Sequence, residues 1–276
     1  MLSISTAIAG LVMLTIQVAH AGAVFTAGSY ESSLSLDGNG TGSTPTGVTY
    51  SGGTYYTGSG GNPQSPEAQN DSAGALVAVA SPNPGLDFRS LFTDATGAVY
   101  ARGYANSTIY KQTSFGNFEA LVSLSGTLDG QMQVILNSAG TMYIGNSSGS
   151  IQEWDLTGAL TRTFSLDPSG GSQGTISIAA FNGYLLNYSN GVLSAYDDGT
   201  GQLIDSTTLT GAGSGNYGTA YANGYFFVPN QQNGYQGFSI ASATDVPEPA
   251  SFALLGVGML AVGMARRRAQ DRASAA

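Results

Sequence analysis

The chain has 276 residues, a net charge of −9, 9% charged residues, 40 glycines and no cysteine. A hydrophobic content of 42% supplies a core and excludes wholesale disorder. The absence of cysteine excludes disulfides and thiolate chemistry.

Residues 1–21 read as a secretory signal peptide. An apolar stretch from Ile4 to Val18 is followed by Ala19-His20-Ala21, a small-x-small site for signal peptidase. No Lys or Arg precedes the stretch, so the amino terminus alone supplies positive charge. Cleavage after Ala21 starts the mature chain at Gly22 and removes His20, the only histidine. A mature chain without His or Cys excludes Ser-His-Asp and Cys-His catalysis and zinc sites built on those ligands.

Residues 22–85 form an irregular glycine-rich region in which Gly47-Val-Thr-Tyr50 starts a candidate degenerate first blade. Asp37, Asn39 and Thr41 place oxygen at alternate positions ahead of Gly42, as a calcium loop does. Val48 stands where the clamping Glu belongs, so a solvated turn is the default and no metal or other cofactor is expected. Asp197-Asp198-Gly199 is an equally weak acidic turn. Most tyrosines occupy repeated strand positions suited to packing. Tyr50, Tyr55 and Tyr56 fall in the loose region instead and are the candidate ligand contacts, suited to stacking on sugar rings.

Residues 86–245 repeat. Gly97, Gly140, Gly183 and Gly224 each follow a turn-compatible pair and precede β-forming residues, at spacings of 43, 43 and 41. Upstream lie apolar strands at Ser90–Phe92, Val134–Leu136, Ile178–Ala180 and Thr219–Tyr221. Third strands follow at Thr108–Tyr110, Ser150–Trp154, Val192–Tyr196 and Gly237–Ile240, then fourth strands such as Leu160–Phe164 and Gln202–Asp205. Four short antiparallel strands in about 43 residues make one β-propeller blade. The turns Trp154-Asp-Leu-Thr-Gly158 and Tyr196-Asp-Asp-Gly-Thr-Gly201 resemble those of WD40-like and quinoprotein-like repeats, without the Gly-His partner of a true WD40 unit. The expected fold is therefore all-β, a small propeller of about five four-stranded blades, with a β-sandwich or β-solenoid as the alternative.

The chain ends in a tail, 246–276. Val246-Pro247-Glu248-Pro249 is an extended linker. Residues 250–265 are uncharged and span about 24 Å as a helix, short of the roughly 30 Å hydrocarbon core. Snorkelling and bilayer thinning close that gap. Arg266, Arg267 and Arg268 then act as a stop-transfer anchor that stays cytoplasmic. Motif, short span and arginine cluster together resemble the PEP-CTERM sorting signal of Gram-negative bacteria. The resemblance implies recognition by exosortase, a membrane-embedded transpeptidase-like protease. It also implies cleavage near Val246, Pro247, Glu248 and Pro249, and delivery from the inner membrane to the cell surface or extracellular matrix, often alongside exopolysaccharide.

Between leader and tail, residues 22–245 carry four basic residues (Arg89, Arg102, Lys111, Arg162) against fifteen acidic ones, a net −11. Such a body does not bind nucleic acid or anionic polysaccharide through bulk charge. Glu153 and Asp155, two apart on one strand, share a face and are the closest approach to a glycosidase pair. Asp155 ends its strand at a turn, where Asp bonds its own backbone. The expectation is a non-catalytic structural or interaction module, associated with extracellular polysaccharide. The alternative is a surface glycosidase or lyase, which would need a carboxylate cluster at the central mouth.

Overall fold

The computed structural model describes residues 23–26, 28–38, 44–61, 65–147, 149–167, 177–213, 217–230 and 234–240. The expected signal peptide with Ala19 and Ala21, the sorting motif at Val246, Pro247, Glu248 and Pro249, and the arginine cluster at Arg266, Arg267 and Arg268 lie outside them, as do Asn39 and Thr41. Among the described residues there are twenty strands, and no helix is long and apolar enough to cross a membrane.

The strands form five antiparallel groups of four. The first strand of the chain, β1 (Tyr30–Leu36), stands apart and is taken up last. Blade one is β2 (Thr44–Ser51), β3 (Thr54–Gly60), β4 (Glu67–Asn70) and β5 (Leu76–Ala80). Blade two is β6 (Phe88–Thr93), β7 (Val99–Gly103), β8 (Thr108–Ser114) and β9 (Asn117–Ser123). Blade three is β10 (Gln133–Leu136), β11 (Met142–Ser147), β12 (Ser150–Asp155) and β13 (Leu160–Ser165). Blade four is β14 (Ala179–Phe181), β15 (Tyr184–Ser189), β16 (Val192–Asp197) and β17 (Leu203–Thr210). Blade five starts with β18 (Ala220–Ala222), β19 (Tyr225–Pro229) and β20 (Tyr235–Ser239). Its fourth strand is β1, antiparallel to β20 through Ser35↔Gln236 and Leu36↔Tyr235.

β1 also runs parallel to β17 through Tyr30↔Leu209 and Glu31↔Thr210, joining blades four and five into one eight-stranded sheet. The innermost strands β2, β6, β10, β14 and β18 contact one another in sequence, and β18 returns to β2. The ring is closed, and the N-terminal strand is its clasp, which removes two sheet edges that would otherwise be exposed.

Local sequence explains the hairpins. Asn182 and Gly183 have φ of 47° and 83°, and Asn223 and Gly224 have 50° and 83°. Two consecutive left-handed residues make the type I′ turn whose twist suits a two-residue hairpin. Gly47, however, is not the hairpin glycine of the first blade. It lies inside β2, where a Cβ would stand 2.5 Å from the Leu91 nitrogen of the next blade. The turn is Gly52-Gly53, at φ of 56° and 87°.

The core lies between neighbouring blades. Trp154 is fully buried among residues of blades two to four, and its Nε1 donates to the Ser125 carbonyl at 2.8 Å. The scarce charges also join blades. Arg102 of β7 donates to the carbonyls of Asn106, Asp129 and Met132, reaching the entry to blade three. Burial, then the neighbouring Arg89, pushes its pKa down to about 10, against the opposing pull of Asp129. Arg162 of β13 grips Glu153 with two 2.7 Å bonds and donates to the carbonyls of Asp198 and Gly199 in blade four.

Candidate functional site

By the antiparallel strand order, the first-to-second turns of all five blades and the third-to-fourth turns of blades one to four lie on one face of the ring; the opposite strand ends, where the chain passes from blade to blade, face the other. The central opening on the turn face holds a cavity of about 230 Å³. Innermost strands supply its wall, including Val48, Thr49, Phe92, Ile135, Ala180 and Tyr221. Its rim is the β6–β7 turn (Asp94, Ala95) and the β10–β11 turn (Asn137, Ser138). At its side, an apolar cleft of about 410 Å³ opens between blades two and three, where Leu121 and Leu156 are exposed.

Below this mouth a buried side chain links three blades. Gln133 donates from Nε2 to the Thr219 carbonyl at 2.9 Å and accepts the Ile178 N–H at 2.8 Å. It thereby ties blade three to the entries of blades four and five, in a buried position that demands satisfied polar atoms.

Asp94 is the only charged residue among those lining the cavity. Its Oδ1 accepts Thr96 N–H (2.8 Å), Thr96 Oγ1–H (2.6 Å) and Ala98 N–H (3.0 Å), and its Oδ2 accepts Tyr100 Oη–H (2.7 Å). Burial alone would raise the Asp94 pKa, but the bonds from Thr96, Tyr100 and Ala98 together hold it below the usual range. Burial and Asp94 raise Tyr100 to about 12. The pair is a fixed acceptor and a fixed donor, with no proton to exchange near neutrality.

The other carboxylates are similarly occupied. Glu153 is buried against Arg162. The Asp155 carboxylate accepts from Thr157 and Ala159, and the Thr157 hydroxyl bond leads in holding its pKa low. Although they share a strand, the two do not form an acid–base pair. Asp197 caps its own turn through Gly199 and Thr200, while burial, then Asp197 and Glu153, raises Asp198. Asp37 accepts the Leu76 N–H on its carboxylate and the Asn70 amide on its carbonyl. Among the described residues no group of three or more acidic, His or Cys side chains could hold a metal ion.

Tyr55 is fully buried between blades one and five, with its Oη accepting from Asn223 at 2.9 Å, which makes it a packing residue rather than an exposed contact. Tyr50 lies against it at 4.7 Å, with the rings tilted by 55°, and Tyr56 lies 6.4 Å from Phe115. Both are half-buried, so the three do not make one exposed platform. Tyr104 and Tyr217, which the sequence pattern does not single out, are exposed; each adjoins a glycine, but so do the buried Tyr184 and Tyr235, so no local signal separates them.

Residues 245–268 match the PEP-CTERM protein-sorting motif. The chain carries a PEP-CTERM sorting signal. That signal implies export, anchoring in the membrane before cleavage, and processing by exosortase to a surface protein. Among curated proteins none matches the chain.

Among solved structures, glutaminyl cyclase of Myxococcus xanthus is similar, at 10% identity and a TM-score of 0.59, over 78% of this chain and 100% of that one. Virginiamycin B lyase of Staphylococcus aureus aligns at 14% identity and a TM-score of 0.42, over 78% and 74%. A streptogramin B lyase aligns at 14% and 0.46, over 75% and 87%. At such identity the likeness to the cyclase is one of fold alone.

Proposed function

We propose that the body, delivered to the cell surface or matrix by its tail, is a non-catalytic interaction module for extracellular polysaccharide. One observation carries the reading: Asp94, the single carboxylate at the turn mouth among the described residues, has four bonds from its own blade holding it charged and fixed. Glycoside cleavage needs a second carboxyl facing it as acid or nucleophile, and the cavity wall offers apolar groups and hydroxyls instead. In this reading signal peptidase cuts after Ala21, exosortase cuts at Val246–Pro249, and Arg266–Arg268 anchor the precursor in the inner membrane until then.

The test uses mature protein recovered from its host and incubated with polysaccharide from the same matrix. Co-sedimentation without new reducing ends or unsaturated products is expected. Chain-end release that disappears in Asp94→Asn would overturn the reading in favour of a glycosidase or lyase.

A further inference from the structure

The opening on the linker face is a separate cavity of about 270 Å³, lined by Thr44, Thr46, Gly60, Arg89, Gln131 and Tyr217. Arg89 is 7% exposed and held from every side. Its Nε donates to Gln131 Oε1 at 2.7 Å, its Nη1 to Asp87 Oδ1 at 2.5 Å and to the Phe88 carbonyl at 2.7 Å, and its Nη2 to Asp87 Oδ2 at 3.2 Å. Those bonds use four of the five N–H groups of a guanidinium. Asp87 accepts the Gly61 N–H as well, at 2.7 Å. A Cβ at Gly60 would stand 2.2 Å from Arg89 Nη1, so glycine is required for this close approach. The floor of the cavity is therefore a rigid planar polar plate whose charge is cancelled in place.

Two aromatic rings border that plate. Tyr217 lines the cavity and is 42% exposed; Tyr104 lies against the Arg89 guanidinium at 4.8 Å and is 49% exposed. These are the only exposed aromatic side chains among the described residues. Each tyrosine offers the cavity a flat apolar ring face with a polar tip, the combination favoured where one end of a side chain is wet and the other meets a partner.

A pyranose fits this chemistry. Its C–H face lies flat on a tyrosine ring, and its hydroxyls bond to planar amide, guanidinium and threonine groups. The cavity is below the roughly 300 Å³ lower bound of drug-sized sites, which suits one sugar ring at a time. The cancelled charge of Arg89 and the net −11 of residues 22–245 both favour a neutral chain over an anionic one.

We propose that this linker-side mouth, with Tyr104 and Tyr217 as stacking platforms and Arg89 and Gln131 as hydrogen-bonding groups, is a binding site for a neutral glycan. The inference rests on the interaction-module reading and names its ligand class and location.

The experiment is calorimetric titration of the mature protein with cellohexaose, with a soluble mannan, and with alginate as the anionic probe. At least one neutral probe should bind and alginate should not. Tyr217→Ala and Tyr104→Ala should each weaken binding about tenfold, with melting temperature little changed at Tyr217 and slightly lower at Tyr104, which gives up its contact with Arg89. Tyr217→Phe, which keeps the stacking face, and Tyr221→Ala, at the opposite mouth, should bind as the parent does. Binding unaffected by both Tyr104→Ala and Tyr217→Ala would overturn the site while sparing the module reading. Failure of both neutral probes to bind, or binding of alginate alone, would overturn the neutral-glycan assignment. Cleavage of any probe would overturn the non-catalytic reading itself.

Discussion

Glu67 is fully buried where blade one meets blade two, accepting Gln112 Nε2–H at 2.6 Å and the Gly116 N–H at 2.9 Å. Burial raises its pKa from 4.5 to about 7, against the opposing effect of those two bonds. Between these values the folded chain holds a proton that the unfolded chain has released. Stability is thus full below pH 4.5 and falls as pH rises through about 7, by about 3 kcal/mol. Glu67→Gln should flatten that slope, whatever its overall stability once one of the two acceptor oxygens is lost, as read by urea unfolding across the range. A parent protein that gains stability over the window would refute the assignment. Nothing in Pro66-Glu67-Ala68 announces a buried acid, because its burial depends on β8 of the next blade. The same limit applies to the tyrosines. Composition made them candidates for ring stacking, but Tyr55 and Tyr104 differ only in what the fold lays over them.

Elements were legible where their signals were local. Turn glycines at regular spacing, each between short β-forming runs, marked the first three strands of blades two to five. The first blade was misregistered, since Gly47 imitates a turn glycine and is instead the close-approach residue that lets β2 pack on β6. β1 was not legible as a strand of blade five, because its partner β20 lies at the far end of the body and no periodicity records the pairing. Leu36 is fully buried by that pairing. Leu36→Ala should cost ~2–5 kcal/mol. Deleting Tyr30–Leu36 should cost more, replace the cooperative thermal transition with a broad one, and produce oligomers through the freed edges of β20 and β17. A monomer with an unchanged melting temperature would show that the clasp does not hold the ring.

The described body is a closed ring whose scarce basic residues are largely spent inside it: Arg89, Arg102 and Arg162 all bond within it, and the acids left over carry its net charge. Intact mass spectrometry with and without the sorting protease tests its processing. A mature species from Gly22 to near Pro247–Pro249 is expected with the protease. A mass that retains Arg266–Ala276 in both backgrounds would leave a permanently anchored protein. Destination and blade period were decided by the sequence itself, because sorting motifs, apolar runs and turn glycines act through neighbours in the chain. Ring closure, the burial of Glu67 and Tyr55, and the pairing of Tyr104 and Tyr217 with one Arg89 plate were decided only by the tertiary structure. Each depends on which distant segments exclude water from one another, and a linear chain does not carry that information in any local pattern.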